Sequence, residues 1–176
     1  MMKTSTSDIF ILGVNAYHGD SSACILKNGE LVAGIEEERL RRIKHWAGFP
    51  TESIKYCLTE AGIGADRIDN LTFSRDPMAQ LHRKIWHIAK KRPSPHFILD
   101  RLNNMAKIKA SKKELGTLLQ GSESIITARV HNIEHHRSHS ASAFFVSPYE
   151  HAAVVSVDAF GDFRSTLIST GQGNEL

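Results

Sequence analysis

The alternation of apolar and polar positions changes period several times along the chain, and each change marks an element. Ile9 to Val14 is a short apolar, β-rich run followed by a polar turn, Asn15-Ala-Tyr-His-Gly-Asp20, and a second run from Ser22. Asn28-Gly29 then supplies the two positive-φ residues of a type I′ hairpin turn, so Ser22 to Lys27 and Glu30 to Ile35 are expected to pair antiparallel. The chain therefore opens with a predicted three-stranded meander. From Glu36 to His45 the pattern becomes charged, with Leu40 and Ile43 three apart, which predicts a short surface helix with acids early and bases late. Pro50 and Thr51 open a second helix whose apolar positions are Ile54, Cys57, Leu58 and Ala61, ending near Gly62 or Gly64. Ile68 to Ser74 reads as a fourth strand.

Residues 76–121 are helical in pattern but broken by Pro93 and Pro95. Leu81, Ile85, Trp86 and Ile88 form one apolar face, and Phe97, Ile98, Leu102 and Met105 another. This block is longer than the usual connection of about 4 to 6 residues, so it reads as a helical insertion able to cover a cleft or a partner surface. A strand resumes over Ser124 to His131 with Ile125, Ile126 and Val130 as its apolar members.

Composition adds limits to this outline. A hydrophobic fraction of 41% suits a globular protein, and the formal charge of +3 leaves ten histidines uncounted beside a basic middle from Arg75 to Lys113. A solvated basic face accounts for that charge without nucleic acid, although it could attract an anionic substrate. Cys24 and Cys57 lie in apolar-periodic segments outside any CxxC pair, which predicts buried reduced thiols and a cytoplasmic setting. The N-terminus reads as a strand rather than an export signal. No apolar run approaches the ~18 residues of a membrane span, so no membrane partner is expected.

Two segments carry the candidate chemistry. Val14-Asn15-Ala16-Tyr17-His18-Gly19-Asp20 and Val157-Asp158-Ala159-Phe160-Gly161-Asp162 share an order: apolar strand, polar strand end, aromatic, glycine, aspartate, returning strand. Such hairpins suit anion handling, because a tight glycine-containing turn lets backbone N–H groups approach phosphate oxygens while the carboxylate holds a metal or water beside them. Paired in this way they resemble the phosphate clamps of the actin, hexokinase and sugar-kinase superfamily, which assigns Gly19 and Gly161 to phosphate or adenylate binding. The second copy begins about twenty residues before Leu176. The chain is accordingly expected to hold a first subdomain over residues 1–150, with its helical insertion at 76–121, and only the first hairpin of a second subdomain over 151–176.

His135 and His139 are four apart, a spacing that places two imidazoles on one helix face, and Asp158 at the end of VVSVD offers a third donor. Two imidazoles and a carboxylate suit iron or zinc. The pair alone is more often incidental than ligating and Asp158 brings the two readings level, while HHRSH lacks the glutamate of a HExxH zinc protease. His136 points about 100° away and reads as a supporting or surface group. His131 belongs to the preceding strand.

The ordered segments YHGDSSACILKNGELVAGIEEERLRRIKHWAGFP, EHHRSHSASAFFVSP and VVSVDAFGD resemble the ATP-dependent O-carbamoyltransferases of nodulation-factor and antibiotic biosynthesis. That resemblance implies an α/β, actin-like ATPase (ribonuclease H-like) fold with a mixed sheet and helices on its faces. It further implies transfer of a carbamoyl group from carbamoyl-adenylate to a hydroxyl of a sugar-containing acceptor. By that resemblance the adenylate is expected to be made from carbamoyl phosphate and ATP in a separate C-terminal domain beyond Leu176. By the same resemblance His135, His139 and Asp158 are Fe2+ ligands, and His18 is the base for the acceptor hydroxyl. Lys44 neutralises phosphate or carbamoyl oxygen charge, and Asp20 orients His18 or binds acceptor. Without the missing parts this stretch is expected to be inactive. Two other readings remain at this point: a sugar or acetate kinase-like phosphotransferase using Mg2+ and an aspartate base, and a non-catalytic interaction module offering an exposed sheet edge.

Overall fold

The computed structural model describes residues 7–17, 19–91, 115–116 and 128–176. Contacts divide them into two units. The first holds the described residues up to Phe73 together with 115–116 and 128–131, and the second holds 74–91 and 132–176.

In the first unit, β1 (Phe10–Asn15) alternates buried and half-buried positions, so Phe10, Leu12 and Val14 enter the core. It pairs antiparallel with β2 (Ser22–Lys27), which pairs antiparallel with β3 (Glu30–Glu36). The Lys27↔Glu30 pair closes around Asn28 and Gly29, at φ 53° and 89°, the left-handed values a type I′ turn demands. A five-stranded sheet results, ordered β3-β2-β1-β4-β5, with β4 (Asn70–Phe73) parallel to β1 and β5 (Arg129–Asn132) beside β4. An antiparallel meander joined to a strand parallel to its first member makes the sheet mixed. The expected α/β class, with a mixed sheet and a helix packed on it, is what the structure has.

Between β3 and β4 come α1 (Glu37–Arg41), α2 (Thr51–Ala61) and a single 3-10 turn, Ala65–Arg67. The face of α2 bearing Ile54, Cys57 and Leu58 lies against β2 and β3. Complete burial of Leu12, Ile25, Ile54 and Leu71 stabilises the fold by about 1.5 to 3 kcal/mol each. Gly62 ends α2 at φ 65°, as its sequence position implies. Cys24 and Cys57 are free thiols, and burial pushes Cys57 up to about 11, which keeps it protonated and inert.

The charged segment after β3 departs from its expected surface character. Its helix covers only Glu37–Arg41, and the Glu37 side chain is fully buried. Glu37 accepts hydrogen bonds from the Ser53 N–H at 2.8 Å, the Ser53 hydroxyl at 2.8 Å, the Glu52 N–H at 3.1 Å and the Arg41 guanidinium at 2.6 Å. Pro50, the N-cap of α2, provides no side-chain cap. A carboxylate from a distant turn therefore satisfies the orphan N–H groups of the helix and meets the positive end of its dipole.

The second unit contains α3 (Leu81–Lys91), α4 (His135–Phe144) and the hairpin of β6 (His151–Gly161) and β7 (Arg164–Gln172). α4 packs on this hairpin. The contacts thus group α4 with the hairpin, whereas the expected boundary fell after residue 150. Within the stretch expected to form a helical insertion, the described helix is α3. The apolar positions Phe97, Ile98, Leu102 and Met105, the lysine-rich run 107–113 and the start of the strand expected at 124–131 lie outside the described residues. Among the described residues no helix is long and apolar enough to cross a membrane.

Burial pushes the Glu37 carboxyl up, but the N–H of Ser53, the Arg41 guanidinium, the Ser53 hydroxyl and the N–H of Glu52 together hold it below the ordinary 4.5. A depressed folded-state value means stability that is present above pH 4.5 and lost as pH falls through that lower value. Glu37→Gln is expected to cost about 2 to 4 kcal/mol at neutral pH, because buried donors lose a charged acceptor. Urea denaturation from neutral pH downward should show the gap between variant and parent narrowing below pH 4.5. A gap independent of pH would remove the charged role assigned to Glu37.

Candidate metal centre and turn sites

In the first unit, the turn after β1 is held by the loop that follows α1. The Ser21 N–H donates to the Trp46 carbonyl at 3.0 Å, its hydroxyl to the Gly48 carbonyl at 2.8 Å, and the Tyr17 N–H to Gly48 at 3.3 Å. Arg41 lies over the Trp46 ring, 4.6 Å from its centroid, and fixes the loop from the other side. Asp20 pairs with His45 Nδ1 at 2.8 Å, and the His45 N–H donates to Glu38 at 3.1 Å. The polar atoms of Asp20, Glu38 and His45 lie within 4.8 Å of one another, on exposed or half-buried residues. Glu38 and His45 escaped the sequence reading because their segment was taken as a helix face. Lys44 is exposed beside His45, and the position over Gly19 is open, with nothing within 4 Å of where a Cβ would stand. His18 lies outside the described residues.

In the second unit, α4 starts with two caps from different segments. Glu134 accepts from the Arg137 N–H at 2.8 Å, and Asp162 accepts from the His135 N–H at 3.0 Å. Asp162 also accepts from the Asp76 N–H at 2.8 Å. Helical spacing then splits the histidines between two arcs. His136, Ser140 and Phe144 are buried toward the hairpin, while His135 and His139, on the adjacent arc, meet Asp158 on β6.

His136 is not a surface group. Fully buried, its ring nitrogens meet the Ser156 hydroxyl on β6 at 2.9 Å and the Arg164 carbonyl on β7 at 3.1 Å. A carbonyl only accepts, so Nε2 carries a proton, and in the neutral ring Nδ1 accepts from Ser156. One imidazole thus ties the helix to both strands.

Asp158 reaches α4 through an irregularity in the ladder. Val157 pairs with Thr166 and Gly161 with Arg164, so Asp158, Ala159 and Phe160 stand opposite Ser165 alone. Such a bulge re-aims a side chain near the end of a strand. Period-two alternation places Asp158 on the face of Val154 and Ser156, the face turned to the helix.

The three expected ligands do come together. Asp158 Oδ2 lies 2.7 Å from His135 Nε2 and 3.4 Å from His139 Nε2, and the two nitrogens are 3.2 Å apart. Two ligands about 2.1 Å from one ion stand roughly 3.0 Å apart at octahedral angles and about 3.4 Å apart at tetrahedral ones. These separations and the N, N, O chemistry fit a single divalent transition metal. The His135 imidazole and the Ala159 N–H hold the Asp158 carboxyl down at about 2, so it is anionic across the working range. His131 stands apart and bonds Asn70 at 2.9 Å.

The structure adds a packing role for Gly161. The left-handed positions of the two turns are Tyr17 and Asp20 in the first, and Asp162 and Phe163 in the second, at φ 63°, 64°, 46° and 70°. Gly161 instead makes room: a Cβ there would overlap the His135 ring.

Comparison with known proteins shows the family to which the chain belongs. The chain matches the family described as Carbamoyltransferase N-terminus over residues 10–176. It is 37% identical over 175 residues to the uncharacterized protein sll1178 of Synechocystis sp., covering 94% of this chain and 28% of that protein. It is 32% identical over 162 residues to the nodulation protein NolNO of Sinorhizobium fredii, covering 92% of this chain and 22% of the relative. The chain therefore spans about a quarter of the length of these relatives. Among solved structures, YeaZ from Pseudomonas aeruginosa aligns over 86% of this chain and 55% of its own, with a TM-score of 0.45 and 12% identity.

Gly161→Ala should leave the hairpin folded, since the Gly161 backbone is not left-handed, but displace His135. Calorimetric titration with Co2+ is expected to show affinity reduced on the order of 10- to 100-fold, the range for losing support of a metal ligand. Parent-like affinity would mean that the ring moves aside without consequence.

Proposed function

The chain belongs to the carbamoyltransferase N-terminus family, and on that premise we propose that it is the N-terminal part of an enzyme moving a carbamoyl group from carbamoyl-adenylate to a hydroxyl of a sugar-containing acceptor. The observation that carries this reading is the convergence of His135, His139 and Asp158 from α4 and the β6 bulge. These residues would hold Fe2+, which supplies Lewis-acid polarisation and a positive anchor for phosphate oxygen when bound. Two neutral imidazoles and one carboxylate leave such a site with net positive charge, suited to an anionic substrate. Asp162, which caps α4, and His136, which locks it to the hairpin, keep the two histidine ligands in register.

Acceptor chemistry falls to the turn after β1. His18 takes the proton of the acceptor hydroxyl as its oxygen attacks the carbamoyl carbon, and the bond from that carbon to the adenylate oxygen breaks to release AMP. Lys44 offers charge to departing phosphate or carbamoyl oxygen. The Asp20–His45 pair fixes the turn that carries His18 and Gly19. Gly19 and Gly161 are the glycines assigned to adenylate binding, Gly19 through an exposed backbone and Gly161 from a buried position against the His135 ring. Carbamoyl-adenylate itself comes from carbamoyl phosphate and ATP, made by the further domain of the longer family members. The free thiols, Cys57 buried and Cys24 only half-buried rather than buried as expected, support a cytoplasmic setting.

Iron analysis tests the reading. After anaerobic loading with Fe2+ and desalting, the chain is expected to retain about one iron per protein. His135→Ala, His139→Ala and Asp158→Asn should each lose most of it. Undiminished iron in these variants would remove the assigned centre. With ATP, carbamoyl phosphate and a sugar acceptor, the 176-residue chain alone should give no carbamoylated product, and any turnover would show that the further domain is dispensable.

A further inference from the structure

Nothing in the metal centre or the turn sites uses α3, Leu81–Lys91, whose sequence is LHRKIWHIAKK. Its composition is lopsided: Arg83, Lys84, Lys90 and Lys91 are basic, and no residue of the helix is acidic. At about 100° per residue, positions 81, 85, 86 and 88 fall within an arc of roughly 160°, while positions 83, 84, 90 and 91 occupy the opposite arc. The apolar arc does not enter a core. Leu81, Ile85 and Trp86 are 41%, 57% and 63% exposed, and Met78 just before the helix is 59% exposed. Trp86 stands at the border of the two arcs, with the Lys90 ammonium 4.6 Å from its ring centroid. An indole beside a cation at such a border is the arrangement of side chains that sit at the level of lipid headgroups.

We propose that α3 is a surface-binding helix that lies on an anionic phospholipid membrane, with Leu81, Ile85 and Trp86 dipping into the headgroup boundary and the basic arc facing lipid phosphates. Charge complementarity selects this occupant. An apolar protein groove would cover Leu81 and Ile85 without calling for an acid-free basic face, and nucleic acid would engage the bases without burying the aliphatic side chains. The lack of a membrane-length apolar run bears only on spanning, so the expectation of no membrane partner is revised for this helix alone. The inference is independent of carbamoyl transfer.

Co-sedimentation with mixed phosphatidylglycerol–phosphatidylcholine vesicles, beside pure phosphatidylcholine vesicles, tests it with the whole chain. Parent protein should pellet with the anionic vesicles and not with the neutral ones, and high salt should release it. Each basic residue at an anionic surface contributes roughly fivefold to partitioning, so Arg83→Gln with Lys90→Gln should lower it about 25-fold. Ile85→Ser with Trp86→Ser should also abolish it. Both pairs are exposed, so unchanged thermal unfolding and Fe2+ retention are expected and serve as the check on folding. No binding to anionic vesicles, or binding indifferent to either double variant, overturns the proposal. Retention on single-stranded RNA that needs Arg83 and Lys90 but not Ile85 and Trp86, without vesicle binding, would assign the helix to nucleic acid instead.

Discussion

A buried imidazole holds the candidate metal centre in shape. His136 sits one residue from His135 and three from His139, so its contacts with Ser156 and the Arg164 carbonyl set both the rotation and the axial position of α4 on the hairpin. A rotation of the helix by one residue, about 100°, would turn both Nε2 atoms away from Asp158. Because a buried ring with an unpaired nitrogen is costly, the two hydrogen bonds make the correct rotation the favoured one. Asp162 adds a second restraint by binding the first N–H of the helix. With both in place, the bulge at residues 158–160 need only aim one carboxylate.

The first unit uses the same kind of device on a different element. Glu37 caps a helix that has no cap of its own, just as Asp162 caps α4 from the hairpin turn. In both units a carboxylate distant in sequence fixes where a helix begins. That choice places charge where backbone donors already converge, and at Glu37 those donors hold the carboxyl below its ordinary value. Removing such a group differs from removing a surface charge, because it leaves several helix N–H groups unpaired at once.

Functional groups sit beside these restraints rather than on loose loops. His135 follows Glu134, the N-cap of α4, and Asp158 precedes the turn that supplies Asp162. Asp20 and His45 belong to two segments joined through Ser21, Trp46 and Gly48. α3 differs in kind: its described apolar side chains lie on an exposed face.

Much of the fold was legible in the sequence because periodicity and turn chemistry are local. Alternation in FILGVN, Asn28-Gly29, Pro50 before α2, Gly62 after it and the four-residue step from His135 to His139 each report on neighbouring residues only, and the structure has each element there. The limits of the elements and the grouping of α4 with the hairpin were less legible, since these depend on packing between segments. Beyond the grouping of His135, His139 and Asp158, the partner of each polar group was not legible. Glu37 reads as one more acid in EEERLRR until α2 folds over it, and His136 reads as a spare histidine until Ser156 and Arg164 close on it. Gly161 reads as a turn glycine, yet its missing Cβ is space for a ring 26 positions earlier in the chain. By itself the sequence determined which elements form and which residues carry metal-binding chemistry. Only the tertiary structure decided which polar groups are buried and what each one meets, because burial and contact are properties of segments far apart in the chain.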